Sequence, residues 1–168
     1  MKFIALKTKN GKERGKITFY CRALDVSVLG LSMDDNMRAG LCVQTADNAE
    51  LAFPEHSGAI LHSDLGSQYT SELFRQELKV VNLKQSMNSA GGRCHDNARC
   101  ESMWARMKRE LFYSRGLKSE DYTIEKLKFM IWRYFMSYWN NRRICSGNNG
   151  LPPAEKRRRY YAALLQIA

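Results

Sequence analysis

Two β-rich runs, Ile17–Leu24 and Val26–Met33, lie back to back with a single acidic residue, Asp25, between them. The first opens on Ile17, Thr18, Phe19 and Tyr20, and the second carries Val26, Val28, Leu29 and Leu31. β-Branched and aromatic side chains at this density favour extended backbone, and a turn-forming Asp at the junction makes the pair a hairpin. A helix follows, because Ala39, Cys42, Ala46, Ala49 and Phe53 recur in steps of three and four along one helix face. Asp34-Asp35-Asn36 offer N-cap oxygens ahead of that helix and Pro54 stops it.

The rest of the chain alternates in the same way. Phe3–Leu6 is a short strand before the hairpin, with a charged turn from Gly11 to Gly15 between them. Ala59-Ile60-Leu61 predicts a short buried strand running into His62-Ser63-Asp64 and the loop Leu65–Thr70. Ser71 then caps a helix whose Phe74, Leu78 and Val81 share a face. Leu83–Met87 is the last strand, and Asn88–His95, with Gly91-Gly92, is loop. Asp96 can cap a helix from about Asn97 to Leu111, with Cys100, Met103, Met107 and Leu111 inward. A second long helix runs from Thr123 to about Trp139, with Ile124, Leu127, Ile131, Tyr134 or Phe135, and Tyr138 on its core face. Asn140-Asn141 ends it, Gly147–Gly150 is loop, and Pro152-Pro153 opens a final basic helix. Strands interleaved with helices predict an α/β fold with a mixed sheet between flanking helices.

Composition narrows the function. The 168 residues hold 27 Lys and Arg against 17 Asp and Glu, a net charge of +10, and almost all the excess falls in the last 70 residues. It peaks at Arg142-Arg143 and Lys156-Arg157-Arg158-Arg159, blocks that suit a polyanion through counterion release or simply keep a helix face solvated. The aromatic series Phe129, Trp132, Tyr134, Phe135, Tyr138 and Trp139 reads as core at helical spacing, with one or two rings left for stacking or self-association. No run reaches the roughly 18 apolar residues of a membrane span, and the first residues are too briefly apolar for a signal peptide. Five scattered cysteines without a C-x-x-C pair point to neither a disulfide framework nor a zinc ribbon, and fit a reducing cytoplasm.

Two carboxylates stand where chemistry collects. Asp64 follows a strand, at the carboxyl end where α/β sheets place their sites, although Asp is also an ordinary turn former. Glu101 sits in the first turns of a helix, on one stripe with Asn97 and Lys108, where a Glu also complements the helix dipole. Carboxylates converging from separate elements supply hard oxygen ligands for Mg²⁺ or Mn²⁺ and so for two-metal phosphoryl chemistry. Lys108 and Arg109 would then hold a nucleic-acid backbone. His62 reads as an orienting residue at the strand end, and Cys94-His95 with Cys100 match no zinc spacing.

His62-Ser63-Asp64-Leu65-Gly66-Ser67-Gln68-Tyr69, Gln85-Ser86-Met87-Asn88, Asp96-Asn97-Ala98-Arg99-Cys100-Glu101-Ser102 and Lys108-Arg109-Glu110-Leu111 together resemble the integrase core of IS3-type bacterial transposases. Tyr138-Trp139-Asn140-Asn141-Arg142-Arg143 and Leu151-Pro152-Pro153-Ala154 resemble that family's C-terminal end. The resemblance implies an RNase H-like fold with a mixed five-stranded sheet, residues 1–115 forming the core and 116–168 a basic helical extension packed on it. It also implies a D-D-E triad that cleaves and joins DNA at insertion-sequence ends and targets. Asp64 takes the place of the second aspartate and Glu101 that of the glutamate, with 36 residues between them, one more than is usual. Asp25 matches a structural aspartate after the second strand. The first aspartate has no counterpart: its position falls at Lys2 or ahead of Met1, so an incomplete metal site and an N-terminally truncated, catalytically impaired core are expected. The expected setting is the bacterial cytoplasm, on the nucleoid when DNA is bound. Expected partners are DNA and further transposase chains, in a homo-oligomer or with full-length transposase. Arg142 and Arg143 are expected at phosphates. The alternative is a non-catalytic remnant that binds DNA or pairs with a full-length transposase; a host RNase H-like nuclease fits the C-terminal motifs less well.

Overall fold

The computed structural model describes residues 4–7, 14–54, 58–87 and 98–166. The element order is β1 (Ile4–Lys7), β2 (Arg14–Cys21), β3 (Val28–Asp34), α1 (Ala39–Ala52), β4 (Ile60–Ser63), α2 (Ser67–Thr70), α3 (Glu72–Val80), β5 (Lys84–Met87), α4 (Ala98–Leu111), α5 (Ile124–Trp132) and α6 (Pro153–Leu165). Strands β1, β2 and β3 form an antiparallel ladder in that order, and β4 pairs with β5 in parallel. The hairpin and the helix that follows it are therefore as expected. The single five-stranded sheet is not: the strands make a three-stranded and a two-stranded ladder. Strands β1, β4 and β5 are only four residues each, and side chains rather than ladder bonds bridge the two sheets. Tyr20 and Leu29 of the first sheet, Leu61 of the second, and Cys42, Tyr69, Phe74 and Leu78 of the helices bury one shared cluster.

Helix α1 lies close on β3 because Gly30 carries no side chain. A Cβ built there would stand 2.2 Å from the Thr45 carbonyl oxygen and 2.8 Å from the Ala49 amide. The acidic residues ahead of α1 do not cap it as expected. Asp34 instead accepts from the Asp35 amide and the Asn36 side chain, closing a local turn, and α1 starts after Arg38 without a side-chain cap. Ser71 and Thr123 do cap, accepting from the amides of Phe74 and Lys126.

The second cluster lies across the other part of the antiparallel sheet. Leu6, Ile17, Phe19 and Val28 pack against Met103, Trp104, Met107 and Leu111 of α4 and against Leu127, Ile131, Phe135 and Trp139. Helix α5 continues as a π-helix over Arg133–Trp139. The expected inward residue there was Tyr138, but Trp139 is buried and Tyr138 is 42% exposed. The wider i→i+5 turn carries the inward face one residue further along the chain than an α-helix would. This shift puts polar as well as apolar groups on the β2–β3 turn. The Trp139 indole donates to the Val26 carbonyl (2.8 Å), and the Asn140 amide both accepts from the Val28 N–H (2.9 Å) and donates to the Val28 carbonyl (2.8 Å). Asn148 donates to the Asp25 carbonyl at 2.8 Å.

Among the described residues no helix is long and apolar enough to cross a membrane. Because Asn140 is buried and satisfies both backbone groups of Val28, Asn140→Ala leaves two buried polar groups without partners. It is expected to lower the unfolding free energy by about 2–4 kcal/mol in a urea titration, while Asn141→Ala, which removes only exposed hydrogen bonds to the Met136 and Ser137 carbonyls, costs about 1 kcal/mol or less.

Candidate active site

The parallel pair β4–β5 delivers Asp64 into the loop immediately after Ser63. One of its carboxylate oxygens, Oδ1, accepts the Gly66 amide at 3.1 Å. Gly66 permits this tight loop: a Cβ there would approach the same Oδ1 to 3.0 Å. Beneath the loop, Tyr69 is fully buried and its phenol lies 3.4 Å from the Thr18 hydroxyl on β2. Burial pushes the Tyr69 phenol up, and Cys42, Asp64 and Cys100 add to that, while the Thr18 hydroxyl opposes it. Asp64 and the first turn of α4 thus both lie within electrostatic reach of one buried ring. His62 sits across the parallel ladder from Ser86, with Nδ1 3.1 Å from the Ser86 hydroxyl, an orienting contact of the kind expected at the strand end.

Glu101 lies in the first turn of α4, exposed, beside the buried Cys100. Cys100 anchors that turn to the sheet, its Sγ 3.7 Å from Sγ of Cys21 at the end of β2. This contact, together with burial, pushes the Cys21 thiol up, so Cys21 is held as a neutral thiol. Arg99, next along, donates to the Ala23 carbonyl. Further down α4, Lys108 is half-buried and Arg109 is exposed. Asn97, Asp96, Cys94 and His95 lie outside the described residues, as does Lys2. The described part of β1, Ile4-Ala5-Leu6-Lys7, holds no carboxylate. Among the described residues no three His, Cys, Asp or Glu side chains gather to hold a metal ion. What Asp64 and Glu101 do offer is chemically suited to Mg²⁺, since both are carboxylates.

The two basic blocks are more committed than their sequence implied. Arg143 is tied to Glu110, with Nη2 2.8 Å from Oε1 and Nε 3.2 Å from Oε2, and its guanidinium stands 4.7 Å from the Trp139 ring centroid. Tyr134 donates to the same carboxylate at 2.8 Å. Arg142, by contrast, is exposed. In the final helix, Arg158 and Arg159 both bind Glu155, and Arg157 stacks 4.2 Å from the Phe53 centroid while reaching the Ser27 hydroxyl. Sequence reasoning missed the Glu110–Arg143–Tyr134 knot and the Asn140 clamp. The signals were there, an acidic residue in Lys108-Arg109-Glu110-Leu111 and an Asn at a helix end, but nothing local pairs residues 33 apart in the chain.

The architecture is that of an integrase catalytic core. The catalytic core domain of the integrase of HTLV-2, solved in complex with magnesium in a trimeric form, superposes with a TM-score of 0.61 at 13% identity. That superposition covers 92% of this chain and 90% of the viral domain. No family model matches the chain. Curated relatives do. InsK of insertion sequence element IS150 of Escherichia coli K12 is 34% identical over 134 residues, covering 80% of this chain and 45% of the relative. The transposase InsF for insertion sequence IS3A of the same strain is 32% identical over 129 residues, covering 77% and 43%. This chain is homologous to transposases of IS3-type insertion sequences. It spans a little under half the length of the curated relatives it matches.

The Glu110 knot carries a pH signature. Burial alone would lift the Glu110 carboxyl, but hydrogen bonds from Arg143 and Tyr134 and the nearby positive charges outweigh it and hold the group below its ordinary 4.5. A depressed acid stabilises the fold fully above its unfolded value and loses that contribution as pH falls through the folded one. Arg143→Met is therefore expected to cost roughly 1–2 kcal/mol at pH 7, a gap that narrows as pH falls below 4.5 in urea titrations.

Proposed function

We propose that this chain acts in DNA transposition as the strand-cleaving and strand-joining core of an IS3-type transposase, with Asp64 and Glu101 as its acidic residues. The observation that carries the reading is the position of Asp64, held by the Gly66 amide at the carboxyl end of a parallel strand, in a chain whose homologues are transposases. Asp64 and Glu101 would hold the divalent ion, Mg²⁺ or Mn²⁺, which when bound polarises the phosphate and lowers the pKa of the attacking water or hydroxyl. The chain's own contribution is placement. Tyr69 and Gly66 shape the Asp64 loop, Cys100 fixes the turn bearing Glu101, and Lys108 and Arg109 lie further down the same helix for phosphate contact. Arg142 extends that contact, Arg143 supports it from the Glu110 knot, and Asn97 is proposed beside Glu101.

On this reading residues 1–115 are the integrase core and 116–168 a helical extension, tied to it by the cluster that Phe19, Trp104 and Phe135 share. Partners are insertion-sequence ends, target DNA and further transposase chains, in the bacterial cytoplasm and on its nucleoid. A second reading, a DNA-binding or transposase-pairing module without cleavage, is favoured by one observation: the described part of β1 carries no acid. For that reason cleavage by this chain alone is expected to be weak.

One experiment separates the two. Purified chain is incubated with supercoiled plasmid and Mg²⁺ or Mn²⁺, beside Asp64→Asn and Glu101→Gln. Slow metal-dependent nicking that falls to background in both variants supports the cleavage reading. Salt-sensitive duplex binding, unchanged in both variants and without nicking, replaces it with the binding module.

A further inference from the structure

The end of β2 and the first turn of α4 meet at two sulfurs. Sγ of Cys21 lies 3.7 Å from Sγ of Cys100, although the residues stand 79 apart in the chain. Alternation along β2 sends Tyr20 to the cluster around Leu61 and Tyr69 and Cys21 to the opposite cluster, which also holds Cys100. The β2–β3 register shifts between these two residues, and such an irregularity re-aims the side chain beside it. The pair is bracketed by contacts that hold strand and helix together without it. On one side Arg99 donates to the Ala23 carbonyl, and on the other Phe19 lies 4.4 Å from Trp104, one turn beyond Cys100.

Two thiols held this close can be joined by a two-electron oxidation. Cys21 is half-buried and Cys100 only 8% exposed, so a small oxidant such as hydrogen peroxide meets Cys21 first. Burial and the Cys100 contact keep Cys21 protonated, which slows that step and keeps the pair reduced until peroxide accumulates. The peroxide O–O bond then breaks, one oxygen adds to Cys21 as a sulfenic acid, and water leaves. The Cys100 sulfur attacks the Cys21 sulfur, the S–O bond breaks, and a second water departs with the Cys100 proton. The sulfurs lose two electrons and the peroxide gains them. Disulfide sulfurs stand about 2.05 Å apart, so closure draws the first turn of α4 toward β2, and Glu101 with it. We propose that Cys21 and Cys100 are a reversible modification site, closed to a disulfide by a peroxide and reopened by two equivalents of a small thiol, that clamps the turn carrying Glu101. Its bearing on strand cleavage rests on the cleavage reading; the disulfide itself does not.

The test is peptide mapping of the full chain after exposure to hydrogen peroxide and alkylation of the remaining thiols. Trypsin releases Cys21 within Ile17–Arg22, Cys100 within Cys100–Arg106 and Cys94 within Cys94–Arg99, so the three are told apart. The expected product is the first two joined, with two hydrogens fewer. Dithiothreitol separates them, whereas oxidised methionines survive it. The cross-linked chain is expected to melt about 3–10 °C higher before dithiothreitol than after it, because the bond closes a long loop. Cys21→Ala is expected to show neither cross-link nor shift; if it fails to fold, Cys21→Val takes its place. Thiols that stay open to alkylation after peroxide overturn the proposal. So does a bond from either cysteine to Cys94 or to a second chain, or a cross-link that leaves the melting temperature unchanged. Mn²⁺-dependent nicking by the same samples is expected to fall several-fold on cross-linking and to recover with dithiothreitol; nicking that the cross-link leaves unchanged overturns the clamp on Glu101. Absence of nicking in the reduced chain counts against the cleavage reading alone, since the mapping needs neither metal nor DNA.

Discussion

Three rings hold the molecule's two halves together. Phe19 of β2 lies 4.4 Å from Trp104 of α4 and 5.2 Å from Phe135 of the π-helix, and Trp104 meets Phe135 edge-on at 5.5 Å. Each ring comes from a different element, so none gains its full burial until sheet, α4 and π-helix have docked together. Their docking settles which side of α4 faces water. With Cys100, Met103, Trp104, Met107 and Leu111 turned to the core, Glu101 and Arg109 can only point outward. The position of a candidate site residue is thus a consequence of core packing three residues away.

The π-helix is the device that lets the same segment pack and clamp. An uninterrupted α-helix would bring Tyr138 to the core. The wider turn brings Trp139 and Asn140 to the β2–β3 turn, where they take up the backbone groups of Val26 and Val28. Those contacts bear on a strained place, since Val26, a β-branched residue, adopts φ +56°. Such a conformation costs on the order of 1–2 kcal/mol, and it persists because Trp139, Asn140 and Asn148 fix the carbonyls around it. Asp25 at the turn is fully buried and spends one oxygen on the Ser27 amide and hydroxyl, at 2.8 and 2.6 Å. Both bonds close the turn.

The chain's positive charge divides by the same logic. Arg143, Arg157, Arg158 and Arg159 have intramolecular partners, carboxylates or rings, and hold helices in place. The cations on the outer side of α5 and at Arg142 line an open groove instead. A residue's place in a basic run says little about whether its charge is available, because a carboxylate more than thirty positions away can claim it.

Much of the fold was legible in the chain. The hairpin around Asp25, the helix faces of α1, α3 and α4, the cap at Ser71, and the placement of Asp64 after a strand all follow from periodicity and turn chemistry, which are local. Resemblance to IS3-type transposases was legible for the same reason, as short motifs survive in sequence. What the tertiary structure alone decided is how distant groups pair. It divided five short strands into two ladders joined by side chains, turned Trp139 inward in place of Tyr138, tied Arg143 to Glu110, and left Phe129 and Tyr138 exposed between cations. None of these has a local signal, because each depends on which groups, distant in the chain, the closed aromatic core brings within reach of one another.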